Sequence, residues 1–352
     1  MTSQERVHLA LAHKAADRVP IHDSPWGTTI ARWHNEGLPQ EMSPHEHFGF
    51  EFHGNGGDNS LQLPVETREE TDEYTITTTG DGGLRRNWKT RTSTPELIGH
   101  TVTTRGSWEE HKPRMAMNDS RVAWDAQKQV YDAAREKGLF CFMSIGPGFT
   151  KVCNLVGPEA LMMAMVDDPD WVQDMLMTEA QLCADMAEEM FSRGFDFDAG
   201  WIFDDLGHRD RGFFSAAMHR EFLVPAHKRI CDVFKARGKW MILHCCGYKM
   251  DFMDGFLETG FDCIQPLEVK AGNDMLKLKR DYGDRLSFMG GIDARCMANP
   301  DPAAIEREIA SKLPGMKQGG GYVYHSDHSV PDDVSFAQYT RVMELVHEYG
   351  TF

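Results

Sequence analysis

From residue 139 onward, short apolar runs alternate with longer amphipathic stretches. Residues 139–145, 195–203, 240–243, 261–264, 286–289 and 321–324 are too short for helices and apolar on successive positions, which predicts six buried strands. Helical spacing occupies 158–193, with a break near 167–170, then 215–237, 249–259, 274–282, 302–316 and 335–349. Strands that are apolar on both faces and alternate with helices form a parallel sheet covered by helices. The first third is less regular. Residues 4–15 predict a short helix, and 17–21 the approach to a first strand. Residues 34–58, rich in Gly, Pro and His, predict loop and short helix. A β-prone stretch from Tyr74 turns at Gly80-Asp81-Gly82-Gly83 and returns over 84–90, which is a hairpin signal.

The alternation fits an open doubly wound sheet as well as a closed barrel. What separates them is where the polar residues fall. Nearly every late strand ends C-terminally in a polar cluster: Asp204-Asp205, His244-Cys245-Cys246-Gly247, Gln265, Asp293 after Gly290-Gly291, and His325-Ser326-Asp327-His328. In a barrel those ends converge on one mouth, whereas in an open sheet only those at the switch point meet. With a length of 352 residues, this predicts an α/β fold: a (β/α)8 TIM barrel with an N-terminal extension and a β-hairpin insertion, forming a single domain over 1–352.

The formal net charge of −17 argues against nucleic acid as a partner and makes anionic membranes poor ones. No run approaches the length of apolar sequence that a membrane span requires. The first residues lack a basic segment followed by an apolar one, so no signal peptide is expected. Most of the eight cysteines are scattered singly in apolar surroundings, which suits a reducing cytoplasm better than a disulfide scaffold.

His244 and Cys246 lie two residues apart at a strand end, so their side chains share one side, and imidazole plus thiolate are two good zinc ligands. A third ligand from His325-Ser326-Asp327-His328 leaves one coordination position open, as a catalytic zinc needs. Asp204 and Asp205 are candidate catalytic acids: such a pair binds a cation, orients a substrate, or works as acid and base. Asp293 and Glu268 are further candidates at the mouth.

Several of these stretches together resemble the uroporphyrinogen decarboxylase superfamily over nearly the whole chain. They are Arg6-Val7 through Ala16-Asp17-Arg18-Val19-Pro20, Asp204-Asp205, His244-Cys245-Cys246-Gly247, Gly283-Asp284-Arg285-Leu286 leading to Gly290-Gly291-Ile292-Asp293, and Gly319 to His328 with Pro331-Asp332-Asp333-Val334. The resemblance implies a (β/α)8 barrel and one of two activities. The true decarboxylases carry an Arg-Gln-Ala-Gly-Arg stretch that grips substrate carboxylates; here the region reads Ser24-Pro25-Trp26-Gly27-Thr28-Thr29-Ile30. The other branch, the corrinoid-dependent zinc methyltransferases, shares His-x-Cys-Gly. Carried over, His244 and Cys246 are zinc ligands; where the thiol-methylating members have a late Cys as third ligand this chain has His328, which is the expected third ligand here, and His325, Asp327, Asp293 and Glu268 are candidate substrate contacts. The expectation is therefore a zinc-dependent methyltransferase acting on a small methylated donor of methoxy or methylamine type. Its corrinoid (cobalamin) is expected on a partner protein, because the chain has no Asp-x-His-x-x-Gly motif. Superfamily members are sometimes dimers, so a homodimer is a candidate assembly. Two competing readings are a metal-independent decarboxylase or lyase for a small acid, using Asp204, Asp205, His325 and His328, and a non-catalytic barrel that binds a small molecule.

Overall fold

The computed structural model describes residues 1–90 and 94–352. After helices Ser3–Leu11, Gly27–Glu36 and Pro44–Phe48 comes strand β1 (Phe52–Gly56). An antiparallel sheet follows: β2 (Thr67–Glu70), β3 (Tyr74–Thr78), β4 (Leu84–Trp88) and β5 (Glu96–Gly99). Six further strands each precede helical segments: β6 (Phe140–Ile145), β7 (Ala199–Phe203), β8 (Trp240–His244), β9 (Cys263–Gln265), β10 (Ser287–Met289) and β11 (Tyr322–Val323). Strands β1 and β6 to β11 form one parallel sheet in that order.

The sheet closes through a stave too short to be a regular strand. Ile21 bridges Tyr324 in parallel. The Tyr324 amide donates to Pro20 O (2.8 Å), the His22 amide to Tyr324 O (3.1 Å), and the Glu51 amide to Ile21 O (2.9 Å). Residues 19–22 thus lie between β11 and β1 and complete an eight-stave barrel. The N-terminal signature stretch secures this seam. Arg6 pairs with Asp17 (2.6 Å) and with the buried Glu51. Arg18 reaches the same Glu51 carboxylate at 2.9 Å, and Glu51 accepts the Ile21 amide at 2.6 Å. Arg6, Asp17 and Arg18 therefore hold the first stave in register. Val7, Ala10 and Leu11 pack with Phe52, Phe140 and Val323 inside the barrel, so the first helix plugs one end.

The predicted late strands and helices are present, including the break that separates Pro158–Asp167 from Pro169–Ser192. Three expectations are corrected. Residues 34–58 contain a barrel strand, because β1, with the weak β-former sequence Phe-His-Gly-Asn-Gly, is held by pairing Phe52 to Phe140 through Gly56 to Ser144. The insertion is a four-stranded sheet, not a lone hairpin, which fits the marginal stability of two isolated strands. The first helix stops at Leu11, short of the expected end at residue 15, as the chain enters a left-handed conformation at His13.

One buried group sits uneasily in this fold. Glu179, on the helix Pro169–Ser192, is fully buried and neither carboxyl oxygen has a hydrogen-bond partner. Burial raises its pKa to about 8, against the opposing pull of Lys151, which itself pairs with Asp81 at 2.7 Å. A carboxyl whose folded pKa exceeds its unfolded value leaves the folded state least penalised at low pH, and stability falls as pH rises from the unfolded pKa towards the folded one. Glu179→Gln is expected to remove that loss. The gain is about 3 kcal/mol at pH 7, read as a raised melting temperature and a flatter stability profile between pH 5 and 8. A variant no more stable than wild type at pH 8 would contradict it.

Candidate active site

At the C-terminal end of β8, the side chains of His244 and Cys246 point to the same side, as the two-residue spacing requires. His244 Nε2 lies 3.3 Å from Cys246 Sγ and 3.6 Å from Asp205 Oδ1. The ligand atoms of Asp205, His244 and Cys246 all fall within 4.8 Å of one another. The two His244 separations, 3.3 and 3.6 Å, are those of donors sharing the edges of a tetrahedron with metal bonds of about 2.0–2.3 Å. The turn after Cys246 needs glycine: Gly247 has a positive φ, and a Cβ there would meet Gly207 O at 2.2 Å.

Neighbouring groups orient the cluster. The His244 Nδ1–H donates to Gln265 Oε1 (2.6 Å), which leaves Nε2 with its lone pair towards Cys246 and Asp205. Burial lowers the His244 pKa to about 4, so the imidazole is neutral, the form that ligates metals. The Cys246 amide donates to Asp205 Oδ1 (2.7 Å), and the Asp205 amide to Thr150 Oγ1 (2.9 Å). Burial and the Asp205 charge push the Cys246 thiol well above its usual range, a bias that a cation at the cluster reverses. The donor set, its spacing and the fixed tautomer fit a zinc ion.

Of the expected ligands, His244 and Cys246 come together and His328 does not: Asp205 is the third donor in the cluster, and His328 lies outside it. His328 lines the adjoining cavity instead. Asp204, the other candidate catalytic acid, faces the helix layer and lies outside the cluster. It is buried, accepts the Phe149 amide (3.0 Å) and the Thr150 amide (2.7 Å), and meets His227 Nε2 at 3.0 Å. It therefore anchors the start of the helix Phe149–Val156, and Thr150 in turn holds Asp205.

The remaining carboxylates serve mainly the backbone. Glu268 accepts the Gly247 amide (2.8 Å) and pairs with Lys270 (3.2 Å). Asp327 accepts the amides of Ala294 (3.0 Å) and Val269 (3.1 Å). Asp293 caps the helix Ala294–Met297 and is gripped by Arg295 at 2.6 Å. Asp293 and Asp327 line a second cavity that shares His328 and Ser329 with the first; Glu268 lines neither.

His325 lines the first cavity. Its Nδ1–H donates to Ser326 O at 2.7 Å. The other ring nitrogen, Nε2, is therefore the acceptor. It meets Gln265 Nε2 at 3.3 Å and Ser24 Oγ at 3.4 Å. Gln265 thereby joins His244 to His325. The cavity holds about 280 Å³ and is also walled by His22, Phe142, Trp201 and Phe203. Behind it, Asp23 accepts hydrogen bonds from Ser326 Oγ (2.5 Å) and Tyr339 OH (2.7 Å) and stands 3.6 Å from His325 Nδ1. Sequence reasoning missed His22, Asp23, Ser24 and Gln265's linking role. The available signal was position: residues 22–24 follow the first stave as the other polar clusters follow theirs.

The fold and site define a (β/α)8 barrel with a cluster of zinc-type donors at its mouth. Residues 87–349 match the profile of the uroporphyrinogen decarboxylase (URO-D) family, and the chain belongs to that family. Among curated proteins, the uroporphyrinogen decarboxylase of Pectobacterium atrosepticum is 33% identical over 149 residues, 42% of this chain and 40% of that protein. The enzyme of the same description from Pectobacterium carotovorum subsp. carotovorum is 33% identical over 96 residues, 27% and 26% of the two chains. The matched part thus spans two fifths or less of these relatives' length. Among solved structures, a methyltransferase from Methanosarcina mazei superimposes with a TM-score of 0.69 over 99% of both chains at 17% identity, so the whole fold is shared. Among the described residues, no helix is long and apolar enough to cross a membrane.

Proposed function

We propose that this protein is a zinc-dependent methyltransferase that moves a methyl group from a small methylated donor to the corrinoid of a partner protein. The observation that carries the reading is the Asp205–His244–Cys246 cluster beside an enclosed cavity. His244 and Cys246 would hold the zinc, with Asp205 as the nearest third donor in place of His328. When bound, zinc supplies Lewis acidity at the donor's heteroatom. His325, with Nε2 facing Gln265 and Ser24, and His328 would orient the donor, and Gln265 keeps both His244 and His325 in fixed tautomers. In the transfer, the methyl–heteroatom bond breaks with its electron pair left on the heteroatom, which takes a proton, and the reduced corrinoid accepts the methyl group. A cavity of about 280 Å³ cannot enclose a corrinoid, so the partner would present it over the barrel mouth.

Uroporphyrinogen decarboxylation is not the activity this site supports. Among the described residues lining the cavity there is no Arg or Lys to meet the substrate's eight carboxylates, and a tetrapyrrole exceeds the space. The test is methyl transfer to free cob(I)alamin, followed by its visible spectrum, with methoxyarenes and methylamines as donors and zinc supplied. Formation of methylcobalamin that depends on the protein supports the reading. Release of carbon dioxide from a small acid by metal-free protein, with no methyl transfer from any donor, would overturn it.

A further inference from the structure

Lys249 stands out among the buried residues around the cluster. It follows the Gly247 turn and has no exposed surface. Its ammonium donates to Pro266 O (2.7 Å) and Gly247 O (3.1 Å). Among the described residues no carboxylate pairs with it. Glu268, which serves the same turn, is taken by the Gly247 amide (2.8 Å) and by Lys270 (3.2 Å). The turn also has a neutral support, since the Asn273 side-chain amide donates to Gly247 O (3.0 Å) and Glu268 O (3.0 Å). A buried charge is costly unless opposite charge compensates it, and the anions on offer belong to the cluster. Burial, with the Asp205 and Glu268 charges, pushes the Cys246 thiol up, and Lys249 opposes them. Burial raises the Cys245 thiol as well, again against Lys249. Burial lowers the His244 imidazole, and the Lys249 charge acts in the same direction. Pro266, which takes the shorter bond from the ammonium, lines the cavity beside His244. Among the described residues lining that cavity there is no Asp, Glu, Lys or Arg. The Lys249 charge therefore stands directly behind the wall of a cavity that holds no charged side chain of its own.

We infer that Lys249 supplies the standing positive charge that makes the open metal position at this cluster an anion site, an inference that rests on the zinc reading of the cluster. The Cys246 thiolate and the Asp205 carboxylate together offset the two charges of a zinc ion, so the loaded cluster by itself has no preference for an anion. Asp204 is committed to the Phe149 and Thr150 amides and to His227. Lys249 tips the balance. At an effective dielectric of about 20, a unit charge within about 10 Å changes the affinity for an anion more than tenfold. In the proposed transfer the electron pair stays on the leaving heteroatom, and Lys249 stabilises that atom until it takes its proton. The same charge repels the metal ion itself. Its removal should therefore weaken anion binding and ease metal uptake, two effects of opposite sign. A residue that only held the Gly247 turn would weaken both when replaced.

Cobalt(II) in place of zinc gives the site a visible spectrum, and azide is a small anion that changes it on binding. Wild type is expected to take up about one cobalt per chain and to bind azide. Lys249→Gln, which keeps a hydrogen-bond donor without the charge, should take up cobalt at least as well and bind azide at least tenfold more weakly. Lys249→Arg, which keeps the charge, should hold azide close to the wild-type affinity. Lys249→Met, similar in length and uncharged, gives the same reading should the Gln variant fail to fold. Unchanged azide affinity in a cobalt-loaded Lys249→Gln or Lys249→Met would overturn the inference. So would loss of cobalt together with azide in the Gln and Arg variants alike, the signature of a residue that only holds the turn. Failure of the zinc reading looks different: wild type itself would take up no cobalt and show no d–d bands.

Discussion

His244→Ala is expected to lower methyl transfer to cob(I)alamin by on the order of a thousandfold or more. His244 is central to the cluster: its Nε2 is close to both Cys246 and Asp205, and its Nδ1 ties the site to Gln265. Without the imidazole, the zinc would lose a neutral nitrogen donor and Gln265 would be free to turn, so His325 would lose its fixed partner as well. The ring is mostly buried and its loss leaves the Gln265 oxygen without a partner, so its removal should cost about 1–3 kcal/mol, a few degrees in a chain of this length. The variant should keep its circular dichroism spectrum and a melting temperature within a few degrees of wild type. An unchanged rate in a folded variant would remove His244 from the chemistry.

The second large effect is on stability. Asp204→Ala is expected to destabilise the fold by about 3–5 kcal/mol, because both carboxylate oxygens are committed within a closed space. The Phe149 and Thr150 amides and the His227 imidazole would each lose a partner, in surroundings where the Asp204 and His227 side chains are fully buried. The packing around the carboxylate is tight, since a Cβ at Gly148 would lie 2.2 Å from Asp204 Oδ2. For a chain of this length the loss corresponds to a melting temperature lowered by about 5 °C. Activity should fall too, because Thr150 sits at the start of the same helix and holds the Asp205 amide. A variant as stable as wild type would contradict the anchoring role.

The contrast between these neighbouring acids shows what could be read from the chain and what could not. The barrel was legible because its late strands are apolar on both faces and end in polar clusters, and both signals survive in a single sequence. The pairing of His244 with Cys246 was legible because side-chain direction alternates with period two. The same rule makes Asp204 and Asp205 face opposite ways, but it does not say which one meets the helix layer. That depends on where the Phe149 and Thr150 amides end up, a tertiary fact. The places of Glu268 and Asp327 depend on tertiary facts in the same way, since both accept backbone N–H groups of neighbouring loops. His328 was expected as a ligand from the polar cluster after the last strand and from the place the family resemblance gives it. The loop it belongs to carries it into the cavity wall, and Asp205 takes the position nearest the cluster. β1 was hidden because Phe-His-Gly-Asn-Gly has little strand propensity, and only its partner β6 makes it a strand. His22 was hidden because a lone histidine after so short a stave carries no pattern.

The measurement that bears most directly on the proposed chemistry is metal content by elemental analysis, on protein purified without chelator or affinity metal and offered zinc, for wild type and Cys246→Ala. The arrangement of Asp205, His244 and Cys246 predicts about one zinc per chain in wild type, falling to near zero in the variant. Wild-type protein that takes up no zinc, or a Cys246→Ala variant that binds as much as wild type, would contradict a zinc site at this cluster and leave the cavity's histidines to a metal-free chemistry.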